Sequence, residues 1–130
     1  MPPNFIALGK EAIEAARTVL PAGMLDDFTI DTVVVNRYAK KRGVGPHHDP
    51  VEMWKPIVLG VTLYEDIYGR VSFMQFASDN LIERFDIPTP HRSVYVFYGA
   101  AYTNATHSRK QGKSDQKGMI YSFTFRSEKC

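Results

Sequence analysis

Ile120-Tyr121-Ser122-Phe123-Thr124-Phe125-Arg126, close to the C-terminal end, alternates with a period of two. A β-strand sends successive side chains to opposite faces, so Ile120, Ser122, Thr124 and Arg126 share one face and Tyr121, Phe123 and Phe125 the other. The aromatic face is suited to packing against a second layer. A face bearing Ser, Thr and Arg is not, because polar groups without partners are costly to bury in an apolar core. It needs a polar interior, and a double-sheet barrel with a central pocket provides one.

Working outward from this strand, residues 32–38, 56–65, 70–77, 83–87 and 93–98 are short runs rich in β-branched and aromatic residues. Gly, Pro, Asn or Asp separates them, which marks a mostly β chain. Gly69 lies between 62–65 and 70–77, so those two segments are expected to form a hairpin. One helix is expected: Ile13, Ala16 and Leu20 recur at helical spacing over residues 9–20, with Lys10, Glu11, Glu14 and Arg17 off the stripe and Pro21 as the stop. Trp54 reads as a core or rim aromatic, His91 as a surface turn residue, and the polar stretch 108–118 as a mobile loop. With 130 residues the expectation is one domain, 1–130, large enough for a single core. The fold class is mostly β (α+β) with a short N-terminal helix.

Composition excludes several classes. A chain that is 44% hydrophobic and 23% charged is neither disordered nor collagen-like. Cys130 is the only cysteine, which removes a disulfide scaffold. The apolar run from Ile57 to Val61 soon meets Glu65 and Asp66, too short for a transmembrane helix, and Met1-Pro2-Pro3-Asn4 lacks a secretory signal. An intracellular address, cytoplasmic or nuclear, and a monomeric state are the expectations. A net charge of +2 does not by itself announce a nucleic-acid binder.

Chemistry concentrates around the histidines. His47 and Asp49 are two residues apart, so on an extended strand both point to one side and can meet the same cation. His107, far downstream, can supply a third ligand from another strand. Two histidines and a carboxylate on one face of a metal make the triad that suits non-haem Fe(II), with positions left open for a chelating co-substrate and dioxygen. The bland alternative is that His-x-Asp after Gly45-Pro46 forms only a turn or cap. His48 competes with His47 as a ligand, but strand neighbours face opposite ways, which favours His47 beside Asp49.

Asn36-Arg37-Tyr38, His47-x-Asp49, the run Ser93-Val94-Tyr95-Val96-Phe97-Tyr98-Gly99 leading to His107, and Thr124-Phe125-Arg126 stand in this order. Together they resemble the AlkB-like family of Fe(II)- and 2-oxoglutarate-dependent dioxygenases, over roughly residues 33–127. The resemblance implies a double-stranded β-helix, or jelly roll, with iron held by His47, Asp49 and His107. It also implies that Asn36, Tyr38 and Arg126 contact 2-oxoglutarate. These residue types suit that role: Arg offers a rigid fork to a carboxylate, and the phenol and amide add neutral hydrogen bonds.

The implied reaction uses 2-oxoglutarate and O2 to hydroxylate or demethylate a substrate, an alkylated nucleobase in single-stranded DNA or RNA first among the expectations. This sequence departs from the family at Ile120, where the family has an arginine, and at Ser122, where it has an asparagine. Lys117 and Arg92 are replacement cations by composition alone. Lys40, Lys41 and Arg42 are candidates for phosphate contact. Only 35 residues precede Asn36, short for the lid that base-repairing members place over a flipped base. The alternatives are the same iron chemistry on a protein or small molecule, and a degenerate, non-catalytic jelly-roll binding module.

Overall fold

The computed structural model describes residues 1–38, 44–47, 53–68, 71–80, 83–109 and 118–129. The run of elements is α1 (Pro3–Arg17), β1 (Thr32–Tyr38), β2 (Val44–His47), β3 (Trp54–Tyr64), β4 (Ser72–Ser78), β5 (Arg84–Thr89), β6 (Ser93–Tyr98), α2 (Ala100–Thr103), β7 (Ala105–Arg109) and β8 (Ile120–Glu128). Among the described residues all the pairings are antiparallel. They build two four-stranded sheets, β1-β8-β3-β6 and β2-β7-β4-β5. From β1 onward the chain changes sheet at almost every step, with β4 and β5 the one consecutive pair that stays together. That winding is jelly-roll-like, and the sheets remain open rather than closing into the expected barrel.

The expected hairpin is corrected. β3 pairs with β6 and β8, while β4 pairs with β5 and β7, so the segments around Gly69 belong to different sheets. A Gly between two strand-like runs signals a reversal but does not choose the partner. Eight rows of β3 against β8 outweigh a local turn, because each buried row contributes apolar area as well as ladder bonds.

Both faces of β8 find the environments that its alternation demands. Phe125 is fully buried beneath α1, in a cluster with Ala12, Ala16, Leu25, Phe28, Leu59 and Val61. Phe123 meets the Phe5 ring edge-on at 5.7 Å. The second layer on this side is therefore the helix. α1 starts earlier than expected because Pro3 suits the first helical turn, and it ends at Arg17, where Thr18 Oγ1 donates to Ala15 O. Gly9 permits a close seat: a Cβ there would lie 2.6 Å from Ile30 Cδ1 and 3.0 Å from the Phe125 ring.

The second cluster, Val58, Met74, Phe76, Phe97 and Tyr102, fills one part of the space between the sheets. Beyond it the sheets enclose polar side chains. β7, the strand expected to carry His107, runs on to Arg109 and so takes Ser108 and Arg109 out of the expected loop 108–118; residues 110–117 of that loop lie outside the described residues. β2 and β5 are sheet edges, where Pro46 and Pro88 can sit without breaking a ladder on both sides. His91 is not a plain surface turn residue: its Nδ1 accepts a 2.9 Å hydrogen bond from the Tyr64 N–H. Trp54 is half-buried at the start of β3, opposite Glu128 of β8. Among the described residues no helix is long and apolar enough to cross a membrane.

Candidate functional site

Register places the polar residues in rows across the inner face of the first sheet. Asn36 pairs with Ser122 and Ser122 with Thr62; Val34 pairs with Thr124 and Thr124 with Gly60; Tyr38 pairs with Ile120 and Ile120 with Tyr64. Arg126 shares a row with Val58 and Phe97. The facing sheet contributes His47, opposite His107, and Arg109, two residues further along the same face of β7. The register of β2 slips by one between Val44 and His47, where Pro46 has no N–H to give.

Between these faces lies a cavity of about 200 Å³. Asn36, Tyr38, His47, His107 and Arg126 all line it, with Tyr95, Ser122, Thr124 and Arg109 among their neighbours. It is smaller than pockets for drug-sized ligands, which run roughly 300–1,000 Å³. A small acid suits it better than a bulky one. Among the described residues no carboxylate lines it, while two guanidinium groups do, so the cavity favours an anion.

His107, 7% exposed, packs its ring 4.8 Å from that of Phe97 and 6.1 Å from that of Phe76. His47 stands on the open edge strand, and its ring centroid is 4.2 Å from that of His107 at 60°. Two imidazoles at this separation from paired strands suit a shared divalent ion. Asp49, the expected carboxylate partner, and the competing His48 lie outside the described residues, as do Lys40, Lys41, Arg42, Lys117 and Cys130. Among the described residues no three His, Cys, Asp or Glu side chains gather in a metal-holding group.

Burial raises the Tyr38 phenol above its ordinary value, and the positive charge of Arg109 pulls the other way. Near neutral pH the phenol therefore keeps its proton and can donate to a carboxylate. Tyr95 OH meets Ser122 Oγ at 3.1 Å by passing over Gly60, where a Cβ would come within 2.1 Å of the ring. Arg92 is displaced from the role suggested for it: it lies on the α1 side of the first sheet, beside Leu8, Glu11 and Val94. Sequence reasoning missed Arg109 and Tyr95. The signal for Arg109 was present, since period-two alternation from His107 puts it on the same face; the signal for Tyr95 was an isolated Gly inside a strand.

The chain is similar in fold to a solved AlkB homologue described as "The structure of OsALKBH1", with a TM-score of 0.71. Identity is 19%, over 98% of this chain and 66% of that one, so this chain spans just under two thirds of that protein's length. At this identity the likeness establishes the fold. No protein-family model matches the sequence, and no curated protein matches it.

Proposed function

We propose that this protein is an Fe(II)- and 2-oxoglutarate-dependent dioxygenase. What supports the reading is one convergence: Asn36, Tyr38, His47, His107 and Arg126, chosen from the sequence for metal and co-substrate contact, line one cavity in an AlkB-like fold. His47 and His107 would hold the ion, with Asp49 as third ligand. When bound, iron supplies activation of dioxygen coupled to oxidative decarboxylation of 2-oxoglutarate, and hydroxylation of a substrate C–H bond. The chain's own part is positional. Arg126 and the protonated Tyr38 bind carboxylate oxygens, Asn36 orients them, and Phe97, Phe76 and Met74 keep water from one wall.

The substrate in this proposal is an alkylated base in single-stranded DNA or RNA. On an N-methyl group, hydroxylation yields a product that falls apart to formaldehyde and the free amine.

Anaerobic Fe(II) titration with and without 2-oxoglutarate tests the first claim. A metal-to-ligand absorption band is expected only with both present, and its absence refutes the oxygenase reading in favour of a non-catalytic module. His107→Ala and Asp49→Ala should abolish iron binding while His48→Ala largely spares it. Equal loss in all three would reject the ligand assignment. Consumption of 2-oxoglutarate stimulated by methylated single-stranded DNA or RNA, but not by methylated peptides, is the expected result for the substrate; the reverse preference sinks the nucleic-acid assignment.

A further inference from the structure

Ile120, 4% exposed, carries no charge into the row that it shares with Tyr38 and Tyr64, so among the described residues the first sheet brings no cation to this end of the cavity. The facing sheet brings one. Arg109 is 5% exposed, lines the cavity, and holds its guanidinium carbon 5.1 Å from the centroid of the Tyr38 ring. Its Nη1 donates to Ser72 Oγ and to Thr89 Oγ1, each at 2.9 Å. Both acceptors are themselves fixed. Thr89 Oγ1 donates to Ser72 O, the Ser72 N–H donates to Tyr64 OH, and Tyr64 OH donates to Thr89 O.

This is a buried cation in a rigid cradle of neutral hydroxyls. Among the described residues no carboxylate lies within ion-pair distance of it. Desolvating a guanidinium without a counter-charge is unfavourable, and a preorganised fork is suited to an anion that arrives from solvent. Position along the strands says which part of the anion. Arg126 shares its row with Phe97, whose ring touches that of His107, so one cation sits near the imidazoles. Arg109 stands two residues, or roughly 7 Å, along β7 from His107, with its guanidinium over Tyr38 in the row of Ile120, the end of the polar face away from Arg126.

We propose that Arg109 anchors the carboxylate that lies farther from the metal, and so makes the site selective for a dicarboxylate over a monocarboxylate. The inference rests on the oxygenase reading, in which the 2-oxo acid end of 2-oxoglutarate chelates the ion and its far carboxylate reaches Arg109. It assigns to β7 the charge that Ile120 withholds on β8. Tyr38, under the guanidinium, supplies a neutral donor to the same carboxylate. Arg109 is thus a specificity-determining residue, and Ser72, Thr89 and Tyr64 are positioning residues.

The test is calorimetric binding of 2-oxoglutarate and of 2-oxopentanoate, the same chain without the far carboxylate, to protein loaded with Mn(II) in place of Fe(II). Wild type should prefer 2-oxoglutarate by about 30-fold, within the span expected for hydrogen bonds to charged groups. R109Q should lose nearly all of that preference through weaker 2-oxoglutarate binding, with Mn(II) affinity and 2-oxopentanoate affinity unchanged. Where R109Q does not fold, R109M keeps the buried stem and takes its place. A variant that retains the preference overturns the inference, as does equal affinity for the two acids in wild type. Failure of wild type to bind Mn(II) or either acid is a different result, because it removes the oxygenase reading itself.

Discussion

Gly60 shows how one missing methyl builds part of the site. The Tyr95 ring lies over its backbone and hands its hydroxyl to Ser122. Gly60→Ala would put a Cβ 2.1 Å from that ring, so the ring must leave. Overpacking of this kind costs about 1–3 kcal/mol. Denaturant melts should show that loss, while Tyr95→Phe, which keeps the ring and drops one hydrogen bond, should cost about 1 kcal/mol or less. A Gly60→Ala protein as stable as wild type would mean that the ring does not cover position 60. On the far side of the strand ends, Asp31 accepts from the Glu128 N–H at 2.8 Å and from Thr29 Oγ1 at 2.7 Å. The bond from the Glu128 backbone, first, and that from Thr29 hold its carboxyl below the ordinary 3.8. A depressed acid adds stability that is full above the unfolded value and lost as pH falls through the folded one. The stability difference between wild type and Asp31→Asn should therefore be constant at neutral pH and shrink only below about pH 4, in urea melts across an acid series. A gap that persists unchanged to pH 2 would assign it to packing.

At the level of elements, α1 depends on small residues. Gly9, Ala12 and Ala16 are its buried positions, and they bring the helix down onto Leu59, Val61 and Phe125. Ala16→Leu adds volume where there is no room and should cost about 1–3 kcal/mol, whereas Lys10→Ala on the exposed face should change stability by less than about 0.5 kcal/mol. Equal effects on thermal stability would contradict this docking face. The same helix was legible in the sequence because its apolar stripe repeats, and β8 because its two faces differ so sharply. β7 was legible only in part. Thr106-His107-Ser108-Arg109 has no apolar alternation, since its inward residues face a polar cavity rather than a core, and so beyond the strand placed at His107 its Ser108 and Arg109 read as loop. The hairpin around Gly69 failed for another reason: turn chemistry is local, but β3 owes its place to β6 and β8, which are far away in the chain. The candidate site was legible as residue types in order. Its second cation was legible only as a residue on the same face as His107; that it meets Tyr38 follows from the facing of the two sheets, which the sequence does not show.

Across the whole molecule the two sheets divide the work. The sheet under α1 carries Asn36, Tyr38 and Arg126, and the facing sheet carries His47, His107 and Arg109. The apolar contact between the sheets is concentrated in Val58, Met74, Phe76, Phe97 and Tyr102, while Tyr64 ties the opposite end through Ser72 and Thr89. An ion and a dicarboxylate held between them would therefore clamp one sheet to the other. A ligand that binds only the folded state adds RT ln(1 + [L]/Kd), about 2.7 kcal/mol at a hundredfold excess over Kd. Mn(II) with 2-oxoglutarate should raise the melting temperature more than either alone. In hydrogen exchange, protection should increase in β1 and β8 and in β2 and β7 together, because opening either sheet releases the ligands. Protection confined to β2 and β7 would show that the ion binds without the co-substrate bridge, and unchanged exchange in both sheets would remove the cavity as the binding site.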